Sequence, residues 1–341
     1  MEYRSLGRTG LQISNITLGS LFWTEDRTSQ YEQWIARAID AGVNSIDTAD
    51  IYGKGLSERI IGDVIRRRGG RDRLIIATKT FVQMDDSDPN SGGASRKHII
   101  QACEDSLKRL ATDYLDLFYI HRPTTQVPID ETLRALDDLV RSGKVRYIGS
   151  SSFPAWKIVE SLWAADALKV ARFTAEQTPY TLLDRRPERE LLPMAHSYGV
   201  GVTIWSPLVG GFLAGKYTRG TSAAEAGRLK GERWDESWTQ PYMVDRAFDM
   251  VDAITAIGAR QDRTPAQVAL AWTLRNPAVA SVVIGPSTTA HLEQSIGLES
   301  VDFSADELER IDTICAPGLV LKPFYLDDQF QDFRPDAYSW R

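Results

Sequence analysis

Two cysteines in 341 residues, Cys103 and Cys315, are too few for a disulfide framework and carry no metal-ligand spacing. Histidine is nearly as scarce, at four. No run approaches the ~18 apolar residues that a membrane-spanning helix needs. The opening MEYRSLGRTG has no apolar core of the signal-peptide kind. Basic charge is also in short supply: 40 Lys and Arg against 46 Asp and Glu give a formal net charge of −6. No basic stripe is therefore available to neutralise nucleic-acid phosphates. The expectation is a cytoplasmic protein with neither nucleic-acid nor membrane partners. No His, Asp or Glu pair shows ligand spacing on one element, so no metal is expected.

What is present is a repeat of short, β-branched apolar runs, each followed by a longer amphipathic stretch. Strands are predicted at 16–20, 44–49, 74–80, 114–121, 145–151, 172–177, 201–206 and 280–285. Helices are predicted near 29–41, 57–68, 95–110, 129–142, 154–168, 186–198, 244–259 and 288–297, with one more over 265–275. Thr264 followed by Pro265 marks the start of that last helix, a cap and then proline at the first helical position. Eight strand–helix units are the count of a closed (β/α)8 TIM barrel, whose parallel strands read as near-continuous apolar runs. Residues 1–341 are accordingly expected to form a single domain. The alternative, an open doubly wound sheet, is weakened because no strand-to-helix turn carries Gly-x-Gly-x-x-Gly. Residues 3–13 read as a small N-terminal hairpin able to plug the bottom of the barrel. Two segments escape the repeat, 217–243 and roughly 317–341. They are rich in aromatics (Trp234, Trp238, Phe324, Tyr325, Phe330, Phe333, Tyr338, Trp340) and are expected to be long loops at the C-terminal face.

The chemistry concentrates at strand ends. Asp47 and Tyr52 lie in NSIDTADIYG, Lys79 ends LIIATKT, and His121 ends YLDLFYIHRP. In a parallel barrel the strand C-termini converge on one face, where active sites are assembled. Lys79 emerges from an apolar run, and an ammonium there needs a partner. Paired with Asp47 beside the Tyr52 phenol, it is expected to favour tyrosinate and ease proton donation. The other reading of these residues is an ion pair at the rim with a surface tyrosine. His121 is expected to point into the rim and orient a carbonyl, whereas His98, His196 and His291 fall within helical stretches.

Trp205 ends the seventh predicted strand in GVTIWSPLVGGFLAGKY. Its ring suits stacking on a planar heterocycle, and the glycines that follow let backbone N–H groups approach phosphate oxygens. Core packing is the other use of such a ring. Ser151, Ser152 and Gln177 add small polar groups on the same rim. Gly285-Pro286-Ser287 leads into a helix, a candidate phosphate site at its N-terminus.

In this order, YRSLGRTGLQIS, NSIDTADIYGKGLSE, ATKT, IHRP, GKVRYIGSSSF, AEQTPYTLLDRR, IWSPLVGGFLAGKY and VVIGPSTTAHLEQS resemble the aldo-keto reductase superfamily over nearly the whole chain. The aryl-alcohol and sugar-linked reductase branches look closest. The resemblance implies that Tyr52 is the general acid, that Lys79 and Asp47 tune it, and that His121 positions a substrate carbonyl. It places nicotinamide on Trp205, with Ser151, Ser152 and Gln177 holding its carboxamide. Ser206, Pro207, Leu208, Gly210 and Lys216 would line the pyrophosphate, and Ser20, Leu21 and Asp47 would lie near the nicotinamide ribose. Gly285, Ser287, His291, Gln294 and Ser295 would surround the adenosine end. Trp23 and Phe81 would join Tyr52 and His121 around the substrate. The chain departs from the family at Ser152, His291 and Ser295. Lys216 and Arg228 remain as cations for a 2′-phosphate, so NADPH is the expected cofactor, with NADH possible. The expected partner is a small-molecule aldehyde or ketone. Two other functions share these residues: a Schiff-base barrel enzyme using Lys79, and a redox-sensing, cofactor-binding subunit of a larger complex.

Overall fold

The computed structural model describes residues 1–220, 242–296, 298 and 301–321. A two-stranded antiparallel hairpin, β1 (Tyr3–Ser5) and β2 (Gln12–Ser14), precedes the body. Eight parallel strands then close a barrel: β3 (Ile16–Gly19), β4 (Ser45–Asp47), β5 (Ile75–Thr80), β6 (Leu115–Ile120), β7 (Val145–Ser151), β8 (Phe173–Pro179), β9 (Gly201–Trp205) and β10 (Val279–Ile284). They pair in sequence order, and β10 closes on β3. The closed barrel is the architecture expected from the eightfold repeat, and the open sheet is not formed. Strands β3 and β5 are buried along their whole length because helices cover one face and the barrel interior takes the other.

Helices α1 (Thr28–Asp40), α2 (Leu56–Arg68), α3 (Arg96–Leu110), α4 (Ile129–Arg141), α5 (Ala155–Leu168) and α6 (Leu191–Tyr198) alternate with the strands. Helices α7 (Asp245–Ala259) and α8 (Pro265–Leu274) both lie between β9 and β10, and α9 (Thr289–Ser295) and α10 (Ala305–Ile314) follow. Local chemistry sets several ends. Ser95 accepts from His98 N at the start of α3, and Thr264 with Gln267 forms the expected cap of α8, with proline in its first turn. The helix expected over 186–198 is split: a 3-10 turn spans Arg186–Glu188, and α6 starts only at Leu191. Glu190, at φ −137°, interrupts it.

Side chains alternate along a strand, and this alternation builds two layers inside the barrel. Ile75, Ala77, Leu117, Tyr119, Ala175 and Ala280 form an apolar lower layer with Leu6 and Ile13 of the hairpin segment. The hairpin therefore seals the end where these strands begin. Gly7 (φ +57°) makes the seal possible, since a Cβ there would stand 2.4 Å from Gly199 O and Gly201 N. Two positions further along β5 and β8, on the same face, come Lys79 and Gln177. Of the loops expected at 217–243 and roughly 317–341, residues 221–241 and 322–341, with Trp234, Trp238 and the C-terminal aromatics, lie outside the described residues. The described residues flanking the first of them are held by an aromatic cluster of Phe212, Tyr217, Tyr242 and Phe248.

Candidate active site

Lys79 has no exposed surface, so its ammonium must be compensated internally. Its Nζ donates to Asp47 Oδ1 and, at 2.9 Å, to the Thr48 carbonyl. Gln177 Nε2 donates to the other oxygen, Asp47 Oδ2, at 2.8 Å. Strands β4, β5 and β8 thus meet on one carboxylate. Burial works against the charge on Lys79, but Asp47 and then Tyr52 outweigh it, so the ammonium is held above its ordinary value.

Tyr52 stands beside this pair, with Lys79 Nζ 5.1 Å from its ring centroid. The His121 ring meets it edge-on, 5.8 Å away at 74°. Desolvation raises the phenol above its ordinary value, while Lys79 pulls the other way and Asp47 adds to the rise. The lowering expected from the ion pair is therefore outweighed by burial, and the phenol holds its proton. His121 is driven well below the ordinary imidazole value by burial, by Arg122 and by Lys79, and so is neutral. Its Nδ1 is buried and completes no hydrogen bond among the described residues.

Backbone bonds knit the turn after β4 to its neighbours. Thr48 N donates to Ala77 O at 2.9 Å, Asp50 N to Lys79 O at 3.1 Å, and Tyr52 N to Ala49 O at 3.1 Å. Ser20, from the end of β3, donates both N and Oγ to Asp47 O. The catalytic candidates Asp47, Tyr52, Lys79 and His121 are in this way brought together at one end of the barrel.

Other sequence candidates fall on the same rim. Ser151 Oγ and Ser152 N both donate to Gln177 O, at 3.1 and 2.9 Å. Ser152 takes φ +61° and receives Arg122 at 3.3 Å. After Trp205, left-handed backbone recurs at Ser206, Val209, Gly210 and Gly211. Leu208 (φ −104°, ψ 7°) precedes Val209 (φ +51°) in the right-then-left order that makes the backbone concave. A Cβ on Gly211 would stand 3.1 Å from Lys216 Cδ, so the glycine lets the lysine stem lie close.

At the end of β10, Ser287 Oγ shares a 2.8 Å hydrogen bond with His291 Nδ1. Ser295 is buried and donates back to His291 O at 2.8 Å. Gly285 and Gln294 are exposed and Leu21 is 42% exposed, whereas Trp23 is buried and stacks on Tyr31 at 4.8 Å. Phe81 is half-buried and packs against the core. Arg228 lies outside the described residues. Among the described residues no three His, Cys, Asp or Glu gather as metal ligands.

Three participants escaped the sequence reading. Arg27, lying over Tyr31 and Trp34, reaches Ser287 O at 3.0 Å. Glu176 is buried, accepts from Ser150 Oγ (2.5 Å) and Phe153 N (3.1 Å), and so anchors the turn after β7. Asp50 is buried in the turn between Thr48 and Tyr52. Glu176 and Asp50 gave a signal, as carboxylates in strand-end segments. Arg27 gave none, because its target is 260 residues away.

The sequence profile of the aldo/keto reductase family matches residues 15–316. An uncharacterized oxidoreductase, YrpG, of Bacillus subtilis is 35% identical over an alignment of 354 residues that covers all of both chains. A putative voltage-gated potassium channel subunit beta of Schizosaccharomyces pombe is 36% identical over 332 residues, 92% of this chain and 93% of that one. A probable voltage-gated potassium channel subunit beta of Arabidopsis thaliana is 35% identical over 300 residues, 87% and 90% of the two chains.

Proposed function

The chain belongs to the aldo/keto reductase family, and from that premise we propose that it reduces an aldehyde or ketone to the alcohol with NADPH. The observation that carries the reading is the buried Lys79–Asp47 pair, braced by Gln177 and set against a protonated Tyr52. A phenol that holds its proton, next to a cation able to stabilise its conjugate base, is equipped as a general acid.

The residues available suit a dinucleotide. The concave backbone at 208–211 and the Lys216 stem against Gly211 can accept a pyrophosphate. Trp205, Ser151, Ser152 and Gln177 would hold the nicotinamide, and Gly285, Ser287, His291, Gln294 and Ser295 the adenosine end. When bound, the cofactor supplies a hydride from nicotinamide C4 to the carbonyl carbon. His121, neutral, orients the carbonyl oxygen by hydrogen bonding. Tyr52 Oη gives that oxygen its proton, and Lys79 stabilises the tyrosinate that remains until solvent restores the proton. Asp47 keeps Lys79 charged and in place.

Lys79 is a poor Schiff-base nucleophile in this setting, since Asp47 and Tyr52 favour its ammonium form. A second reading, a cofactor-binding subunit of a larger complex, draws on the names of the channel-subunit relatives. A carbonyl panel followed at the NADPH absorbance band separates the two. Sustained turnover supports the reductase; one oxidation per bound cofactor against every carbonyl supports the subunit.

A further inference from the structure

The turn that leads to Tyr52 holds a buried polar group that the proposed reaction does not use. Asp50 sits between Thr48, whose carbonyl takes Lys79 Nζ, and Tyr52. Its side chain is 1% exposed, and neither carboxyl oxygen completes a hydrogen bond among the described residues. The charges packed against it come from α2 and α3. Glu58 is itself fully buried, and it takes both Arg109 Nε at 2.5 Å and the Thr78 hydroxyl at 2.7 Å. One guanidinium thus faces two buried carboxyls and is engaged by the other one. The Thr80 hydroxyl beside Asp50 shares a 2.9 Å hydrogen bond with His98 Nε2. His98 in turn feels Lys97 and Asp88. Along its own stretch of chain the nearest charged residues are Asp47, which pairs with Lys79, and Lys54.

We propose that Asp50 is a positioning residue for the Tyr52 step, one that supports proton donation as a neutral carboxylic acid and impairs it as a carboxylate. The inference rests on the reading of Tyr52 as general acid. A carboxylate here would be buried with only the Thr80 hydroxyl and the Ile51 N–H to turn to and no cation of its own, which costs too much to leave uncompensated. To gain a counter-charge it must draw Arg109 away from Glu58. That move pulls on the turn from Thr48 to Tyr52, whose Asp50 N–Lys79 O bond ties it to β5. Burial, the largest cause, moves the Asp50 carboxyl up to about 7, with Glu58 adding to the rise and Thr80 and Arg109 opposing it. The change of state therefore falls in a range where the enzyme can be assayed.

The test combines kinetics and infrared spectroscopy. In wild type kcat should fall roughly three- to tenfold as pH rises through 7, and Asp50→Asn, which mimics the neutral acid, should remove that fall while matching wild type near pH 6. The apo wild-type protein should show a protonated-carboxyl stretch at pH 6 that disappears through pH 7. The difference spectrum against Asp50→Asn isolates this band from Glu176, whose carboxyl is also raised by burial. An unchanged alkaline fall in the variant, a uniform loss of kcat at every pH, or the lack of an Asp50 band at pH 6 would each overturn the proposal. The band is read without substrate. Full turnover in Tyr52→Phe would sink the general-acid reading and leave the band in place, so the two failures are told apart.

Discussion

Gln177 Nε2 donates to Asp47 Oδ2 at 2.8 Å, on the carboxylate whose other oxygen takes the Lys79 ammonium. Asp47 is therefore held from two strands at once, and the fully buried Lys79 has a fixed counter-ion. Asp47→Asn would leave that ammonium buried without a full charge opposite it. The expected loss of stability is ~3–5 kcal/mol, the usual result of breaking a buried pair from one side. Denaturant unfolding of the variant at neutral pH measures it, and a loss under 1 kcal/mol would mean that Lys79 sheds its proton or finds water instead.

Asp50 carries a pH signature in stability as well. A carboxyl raised in the folded state to about 7 stabilises the fold fully at pH below the ordinary carboxylate range. That contribution is lost as pH rises toward 7, and it amounts to on the order of 4 kcal/mol. Asp50→Asn cannot ionise, so its melting temperature relative to wild type should climb from pH 4 to 7 and level off above. A difference that stays flat with pH would show that Asp50 titrates like an exposed acid.

The seal at the start of the strands depends on Gly7. Its left-handed φ of +57° and the 2.4 Å approach of Gly199 O leave no room for a methyl group. Gly7→Ala is expected to cost ~2 kcal/mol or more, read by thermal or denaturant unfolding, without changing cofactor affinity. Wild-type stability in the variant would mean that the hairpin can lift without consequence.

Trp205 and His291 test the cofactor assignment. Adding NADP+ should quench part of the tryptophan fluorescence, and Trp205→Ala should remove that part and weaken binding. His291→Arg should raise the NADPH over NADH ratio of kcat/KM by roughly tenfold, because a guanidinium pairs with a phosphate bidentately. An unchanged quench in the first variant would return Trp205 to the core, and an unchanged ratio in the second would move His291 away from the 2′-phosphate.

Much of this architecture was legible in the residues. The barrel strands are buried on both faces, so β5 and β6 stood out as apolar runs whose polar ends, Lys79 and His121, broke the pattern. Ends were less clear where the signal was short. β4 shrinks to Ser45–Asp47 because the chain turns at once to present Tyr52. Helix α10 has no counterpart among the expected helices, although Ser304 and Glu307 form a capping box at its start. The Gln177–Asp47 bond spans 130 residues, and the shared cation of Glu58 and Asp50 joins α2, α3 and a loop. Such pairings follow from barrel closure and helix packing, and no local spacing encodes them.

The central claim, that Tyr52 protonates a carbonyl oxygen, is tested most directly by Tyr52→Phe. NADPH consumption is followed against a carbonyl that the wild type turns over, and NADPH affinity is measured in parallel. The prediction is a fall in kcat of roughly 10²–10⁴, the usual worth of a positioned acid, with cofactor affinity unchanged. Turnover within a few-fold of wild type would contradict it.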